Sequence, residues 1–154
     1  MKKLLFVLFV LFLAILIVIL CSRHSGLTGM WTGTHQIDSS TDGPTSFNSK
    51  QCKTFCKLTE GKGQLTGSIT EFGMDAVAFQ DTEELHGTIS NNVVEWTSSK
   101  SWEKAGKKVQ YESIFHGVRN GDTISGRFVQ TWDEDGKTTT YEGTVELKRT
   151  PEKQ

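Results

Sequence analysis

His35, Cys52 and Cys56 lie close together in the sequence and carry the side chains best suited to covalent chemistry. An imidazole beside a thiol can generate a thiolate nucleophile. Neighbouring strands could bring such a pair together, but no orienting residue or oxyanion donor accompanies it. Cys52-x3-Cys56 lacks the second pair of ligands that a zinc site needs. On an extended strand these two cysteines would sit about 13 Å apart, beyond the roughly 7 Å that a disulfide spans. They are expected as small buried thiols. Asp133-Glu134-Asp135-Gly136 matches part of a calcium loop but lacks the spaced ligands and final glutamate, and reads as a solvated hairpin tip. Glu83-Glu84 reads as surface rather than as an acid–base pair. No metal, cofactor or catalytic residue is expected from these positions.

A second set is less reactive and more coherent. It comprises His35, Trp96, Ser98, Tyr111, Gln130, Trp132 and Tyr141. Aromatic walls with a few polar groups are the usual lining of a small-molecule site. What must position them is a series of strands, because period-two alternation dominates beyond residue 28. Trp31, Gly33, His35 and Ile37 share one face, followed by a polar loop from Asp38 to Ser46. Cys52, Thr54, Cys56 and Leu58 share the next, then Leu65, Gly67 and Ile69. The stretch from Gly73 to Ala78 fits either a loop or a helical turn. Leu85, Gly87 and Ile89 follow, then Val94, Trp96 and Ser98. Tyr111, Ser113, Phe115 and Gly117 lead into Asn120-Gly121, a type I′ hairpin signal. Ile124, Gly126, Phe128, Gln130 and Trp132 line the seventh run, and Tyr141, Gly143, Val145 and Leu147 the eighth. His86 and His116 fall on the opposite, solvated face.

Six of these runs repeat one pattern, apolar-x-glycine: Trp31 to Gly33, Leu65 to Gly67, Leu85 to Gly87, Phe115 to Gly117, Ile124 to Gly126 and Tyr141 to Gly143. Each glycine faces the same way as a large residue. Strands bend easily at glycine, and alternating large and small residues fit the interior of a small barrel. The expected fold class is all-β: an eight-stranded antiparallel up-and-down (meander) barrel over residues 29–150, with a tail over 151–154.

The first residues are a different material. Met1-Lys2-Lys3 precedes an unbroken apolar run, Leu4 to Leu20, at the short end of what spans a bilayer. No A-x-A-like cleavage site follows. The favoured reading is an uncleaved signal anchor, one N-terminal transmembrane helix over residues 1–21 with a linker over 22–28. Lipoprotein processing at Cys21 comes second, and cleavage after Cys21 third. All three put the remainder outside the cytoplasm, and Lys2 and Lys3 keep the amino terminus inside. Of the 17 Lys and Arg, Lys2, Lys3 and Arg23 lie in this leader, while all 18 Asp and Glu lie beyond it. The remainder is mildly acidic, which excludes the basic face of a nucleic-acid binder.

Gly29-Met30-Trp31 opens the first strand and Arg149 closes the last. In these features the chain resembles the avidin and lipocalin group of β-barrels. That group opens on G-x-W and packs a last-strand arginine across the tryptophan. The resemblance implies that Trp31 and Arg149 close one barrel end, by a cation–π attraction worth about 0.5–2 kcal/mol. Leu65-Thr66-Gly67-Ser68, Leu85-His86-Gly87-Thr88 and Val94-Glu95-Trp96 are similar to avidin-type strands in order and spacing. Trp96 and Trp132 fall where that family places pocket tryptophans, with Tyr141 near a third aromatic position. Biotin binding does not follow. Gly33 stands in place of the family's asparagine, and Ile37 stands near its loop serine. The chain equally resembles small bacterial envelope proteins with the same G-x-W and repeated x-G pattern.

The function expected from these readings is non-enzymatic binding of a small apolar or amphipathic ligand. The protein would be tethered to a membrane through residues 4–20, with its barrel at the extracytoplasmic face of the cell envelope. The alternative is a protein-binding module, such as an envelope hydrolase inhibitor, using the Asp38–Ser46 and Gly73–Ala78 loops. A Cys/His enzyme ranks third. A filled barrel, in which His35 and Tyr141 satisfy each other or water, is the bland counterpart.

Overall fold

The computed structural model describes residues 12, 26–43, 51–72 and 82–151. The expected membrane helix and the Gly73–Ala78 stretch lie outside them, residue 12 apart. The strands are β1 (Gly29–Thr41), β2 (Gln51–Gly61), β3 (Gln64–Phe72), β4 (Thr82–Ser90), β5 (Val93–Lys104), β6 (Lys107–Asn120), β7 (Thr123–Glu134) and β8 (Lys137–Arg149). Each pairs antiparallel with the next, and β8 pairs back onto β1 from Trp31↔Arg149 to Thr41↔Thr140. The sheet is a closed eight-stranded barrel in sequence order.

Burial follows the alternation. On β6, Val109, Tyr111, Ser113, Phe115 and Gly117 are buried while the residues between them are exposed. The six glycines lie on that buried face, and their environment explains the recurrence. A Cβ at Gly33, Gly67, Gly87 or Gly143 would run into the backbone carbonyl of Glu146, Lys57, Glu95 or Gln36 on the adjoining strand. The strands coil so tightly that neighbouring backbone occupies the space of a side chain. Gly117 and Gly126 face each other in register, and the Phe115 ring folds over both. The Phe128 ring covers Gly143 in the same way. The large residue of each pattern thus fills what the small one leaves open.

Two local expectations need correction. The loop placed at Asp38 begins later, because β1 continues to Thr41. A bulge between Ile37 and Ser39 absorbs one residue and sets Ser40 opposite Tyr141. The hairpin at Asn120-Gly121 is displaced by one residue. Asn120 ends β6, and of the turn residues Gly121 and Asp122 only Gly121 has positive φ, the type II′ signature. Both turn residues have positive φ at Lys62-Gly63, Asn91-Asn92, Ala105-Gly106 and Asp135-Gly136, as type I′ requires.

The barrel has two unlike ends. The turns after β2, β4 and β6 lie at the end where β1 begins. There Leu27 and Trp31 are fully buried with Leu58, Leu65, Val94, Ile124 and Leu147. The Arg149 guanidinium lies 4.6 Å from the centre of the Trp31 ring. It donates to the Gly26 carbonyl, to the Thr28 carbonyl at 2.7 Å and to Asp122 Oδ1 at 3.1 Å. Trp31 Nε1 donates to the Leu27 carbonyl at 2.8 Å. Glu60 ties down the same segment, accepting from the Leu27 amide at 2.6 Å. This end is sealed. A middle layer, with Trp96 stacked on Phe115 at 3.9 Å, separates it from the other end.

Candidate functional site: a polar cluster opposite the sealed end

The site lies at the end where β5–β8 extend furthest. His35 comes from β1, Thr54 from β2, Glu71 from β3, Glu83 from β4, Ser98 from β5, Tyr111 from β6 and Gln130 from β7. Seven strands contribute, because at this level their inward faces carry polar residues, with buried Ile37, Cys52 and Val109 lying beyond them on β1, β2 and β6. Polar groups so enclosed must find partners, and most of these find one another.

Gln130 Nε2 donates to Tyr111 Oη at 3.1 Å and to Glu71 Oε2 at 3.4 Å. Ser98 and Ser113 lie beside the Tyr111 phenol and favour its ionised form. Ser98 Oγ donates to Glu83 Oε2 at 2.9 Å. The chain of contacts runs from Glu71 through Gln130, Tyr111 and Ser98 to Glu83, and so around most of the barrel. His35 Nδ1 lies 3.0 Å from Glu71 Oε1, at ion-pair distance but off the line of a hydrogen bond. The edge of its ring meets Phe128 at 4.6 Å. Trp132 packs on Tyr111 at 4.8 Å and edge-on to Trp102 at 5.6 Å, an aromatic group beside the network.

The electrostatics follow from burial beside carboxylates. Desolvation, then the charges of Glu71 and Glu83, push the Tyr111 phenol well above its ordinary range, and the two serines only partly oppose this. Burial alone raises Tyr141. Burial first, and then the Glu71 charge, raise the Cys56 thiol far up, the opposite of what a thiolate nucleophile needs.

The sequence-derived residues separate accordingly. His35, Ser98, Tyr111 and Gln130 meet in the network, and Trp132 flanks it. Tyr141 stands across from Gln130 on the β7–β8 ladder, partly buried against the core. His35 faces Glu71 rather than Tyr141. Trp96 lies deeper, in the middle aromatic layer, and Trp31 and Arg149 are at the sealed end. Cys52 sits directly across from His35 and Cys56 across from Trp31, and both are buried thiols. Among the described residues no group of three or more His, Cys, Asp or Glu side chains could hold a metal ion. Asp133 braces its own hairpin, accepting from the Gly136 amide at 3.0 Å and the Thr138 hydroxyl at 3.1 Å.

Sequence reasoning missed Glu71 and corrected placement falls on Glu83, which was read as surface. Glu71 and Glu83 are half-buried while Glu84 is exposed. The signal was present. Extending Leu65, Gly67 and Ile69 by one step reaches Glu71, and extending Ile89, Gly87 and Leu85 backward reaches Glu83. A search against protein-family models finds no match, and none of the curated proteins matches the chain.

Proposed function

We propose that this chain is a membrane-tethered, extracytoplasmic β-barrel that binds a small apolar or amphipathic ligand at the end opposite the seal, without catalysing a reaction. One observation carries the reading: a buried polar network, walled by Trp132 and Tyr111, sits at one end of a barrel whose other end is plugged by Leu27, Trp31 and Arg149. Stability alone favours an apolar filling over such a network. The apolar run at residues 4–20 supports the tether. Kinship with the avidin and lipocalin group belongs to the same proposal, supported by the closed meander and by Arg149 lying across Trp31.

The test is titration of the full chain with small aromatic amphiphiles, phenylethanol, phenethylamine and phenylpropionate, read by tryptophan emission. At least one should give a saturable change, largely lost in Trp132→Phe and kept in Trp31→Phe. No saturable response to any of the three would sink the reading. A second reading, the protein-binding module, draws on the outer face. Phe55 and Phe72 pack edge to face at 5.4 Å, partly exposed, over a shallow hollow of about 650 Å³ with Lys53, Thr70 and Thr82. A partner that protects these two rings from solvent while the polar network stays indifferent to small molecules would favour it.

A further inference from the structure

At the end of the barrel opposite the seal, three deeply buried residues keep an unpartnered polar atom around one carboxylate. The Glu71 carboxylate is flanked by His35 on one oxygen and Gln130 on the other. Gln130 commits its amide nitrogen to Glu71 and Tyr111, and its Oε1, which can only accept, is buried without a partner. Both ring nitrogens of His35 are buried without a hydrogen-bond partner, and an imidazole carrying one ring proton accepts at the other nitrogen. Thr54 stands opposite Glu71 on the β2–β3 ladder, and its hydroxyl is also buried with no partner. His35 and Gln130 are 1 % exposed and Thr54 is fully buried. Leaving such groups unsatisfied costs about 1–3 kcal/mol each, and an N–H donor placed among them would relieve that cost.

This inference rests on the ligand-binding reading and names the ligand chemistry. We propose that this end of the barrel takes the protonated amine head of a small amphipathic ligand, its N–H groups donating to Glu71, Gln130 Oε1 and a His35 ring nitrogen while its apolar body lies along Trp132 and Tyr111. An ammonium brings three donors and no acceptor, the complement of the Glu71 carboxylate, Gln130 Oε1 and an accepting ring nitrogen of His35. Its positive charge suits the carboxylate and the aromatic faces of the wall. The field there has the matching sign, since Glu71 and Glu83 both hold back ionisation of Tyr111. A carboxylate ligand would meet Glu71 head-on. Glu71 itself is 12 % exposed, so its carboxylate keeps some access to solvent.

The experiment compares the three probes, which differ in head group and little else. Phenethylamine should bind about tenfold to a hundredfold more tightly than phenylethanol, the range expected of hydrogen bonds to a charged group, and phenylpropionate should bind weakest. In Glu71→Gln the amine should lose about that advantage while the alcohol is little changed. Equal affinity for amine and alcohol, or preference for the carboxylate, overturns the amine assignment and leaves the ligand-binding reading standing. No binding by any probe overturns both. Should Glu71→Gln fail to fold, the head-group series on the unaltered protein still decides.

Discussion

The two ends of this barrel are built from the same strands by the same alternation, and they treat polarity in opposite ways. At the sealed end the Arg149 guanidinium has an acceptor for each of its three nitrogens, and Trp31 Nε1 has the Leu27 carbonyl. At the opposite end His35, Thr54 and Gln130 are as deeply buried, yet each keeps a polar atom without a partner. Satisfied polarity fixes a structure. Unsatisfied polarity, concentrated at one place, is costly to stability and persists where something else completes it.

This contrast can be tested by breaking each end. The largest effect should come from Trp31→Ala, which empties a fully buried ring site, frees the Leu27 carbonyl and removes the ring beneath Arg149. Loss of about 3–5 kcal/mol is expected, read as a shift of the denaturant midpoint. A loss under about 1 kcal/mol would show that the sealed end does not hold the barrel together.

An intermediate effect should appear at alkaline pH, through one group level with Trp31 and one at the opposite end. Cys56 and Tyr111 are held protonated in the fold, while the unfolded chain releases these protons from about pH 9 and pH 10. The folded state therefore retains protons that the unfolded state gives up. Their stabilisation is complete below pH 9 and declines as pH rises beyond it. Tyrosinate absorbance should show Tyr141 ionising while the fold persists and Tyr111 ionising only with unfolding. Ionisation of both before unfolding would contradict the burial assigned to Tyr111.

The smallest effect should have the unusual sign. Thr54→Val replaces an unpartnered buried hydroxyl by a methyl group of similar shape, and should raise stability by about 1 kcal/mol. The same change costs stability wherever the hydroxyl is bonded, so a destabilised variant would mean that Thr54 has a partner in the unliganded protein.

Much of this was legible beforehand. The spacing of Trp31, Gly33, His35 and Ile37 placed them on one face, and the six glycines marked a strongly bent sheet. His35, Ser98, Tyr111 and Gln130 were selected by face alone. Glu71 and Glu83 escaped because acidic residues beside a loop are ordinarily solvated, and nothing local distinguishes a carboxylate facing inward from one facing out. The turn at Gly121-Asp122 was displaced because Asn-Gly is the commoner I′ pair, and the register of β6 against β7 overrode that preference.

By itself the sequence determined which side chains face the axis, since alternation along a strand is a local property of the extended backbone. Only the tertiary structure decided which of them meet. Glu71 and Gln130 are 59 residues apart on strands that do not pair. Their contact exists because the sheet closes, and the stagger of eight strands sets every distance across the barrel at once.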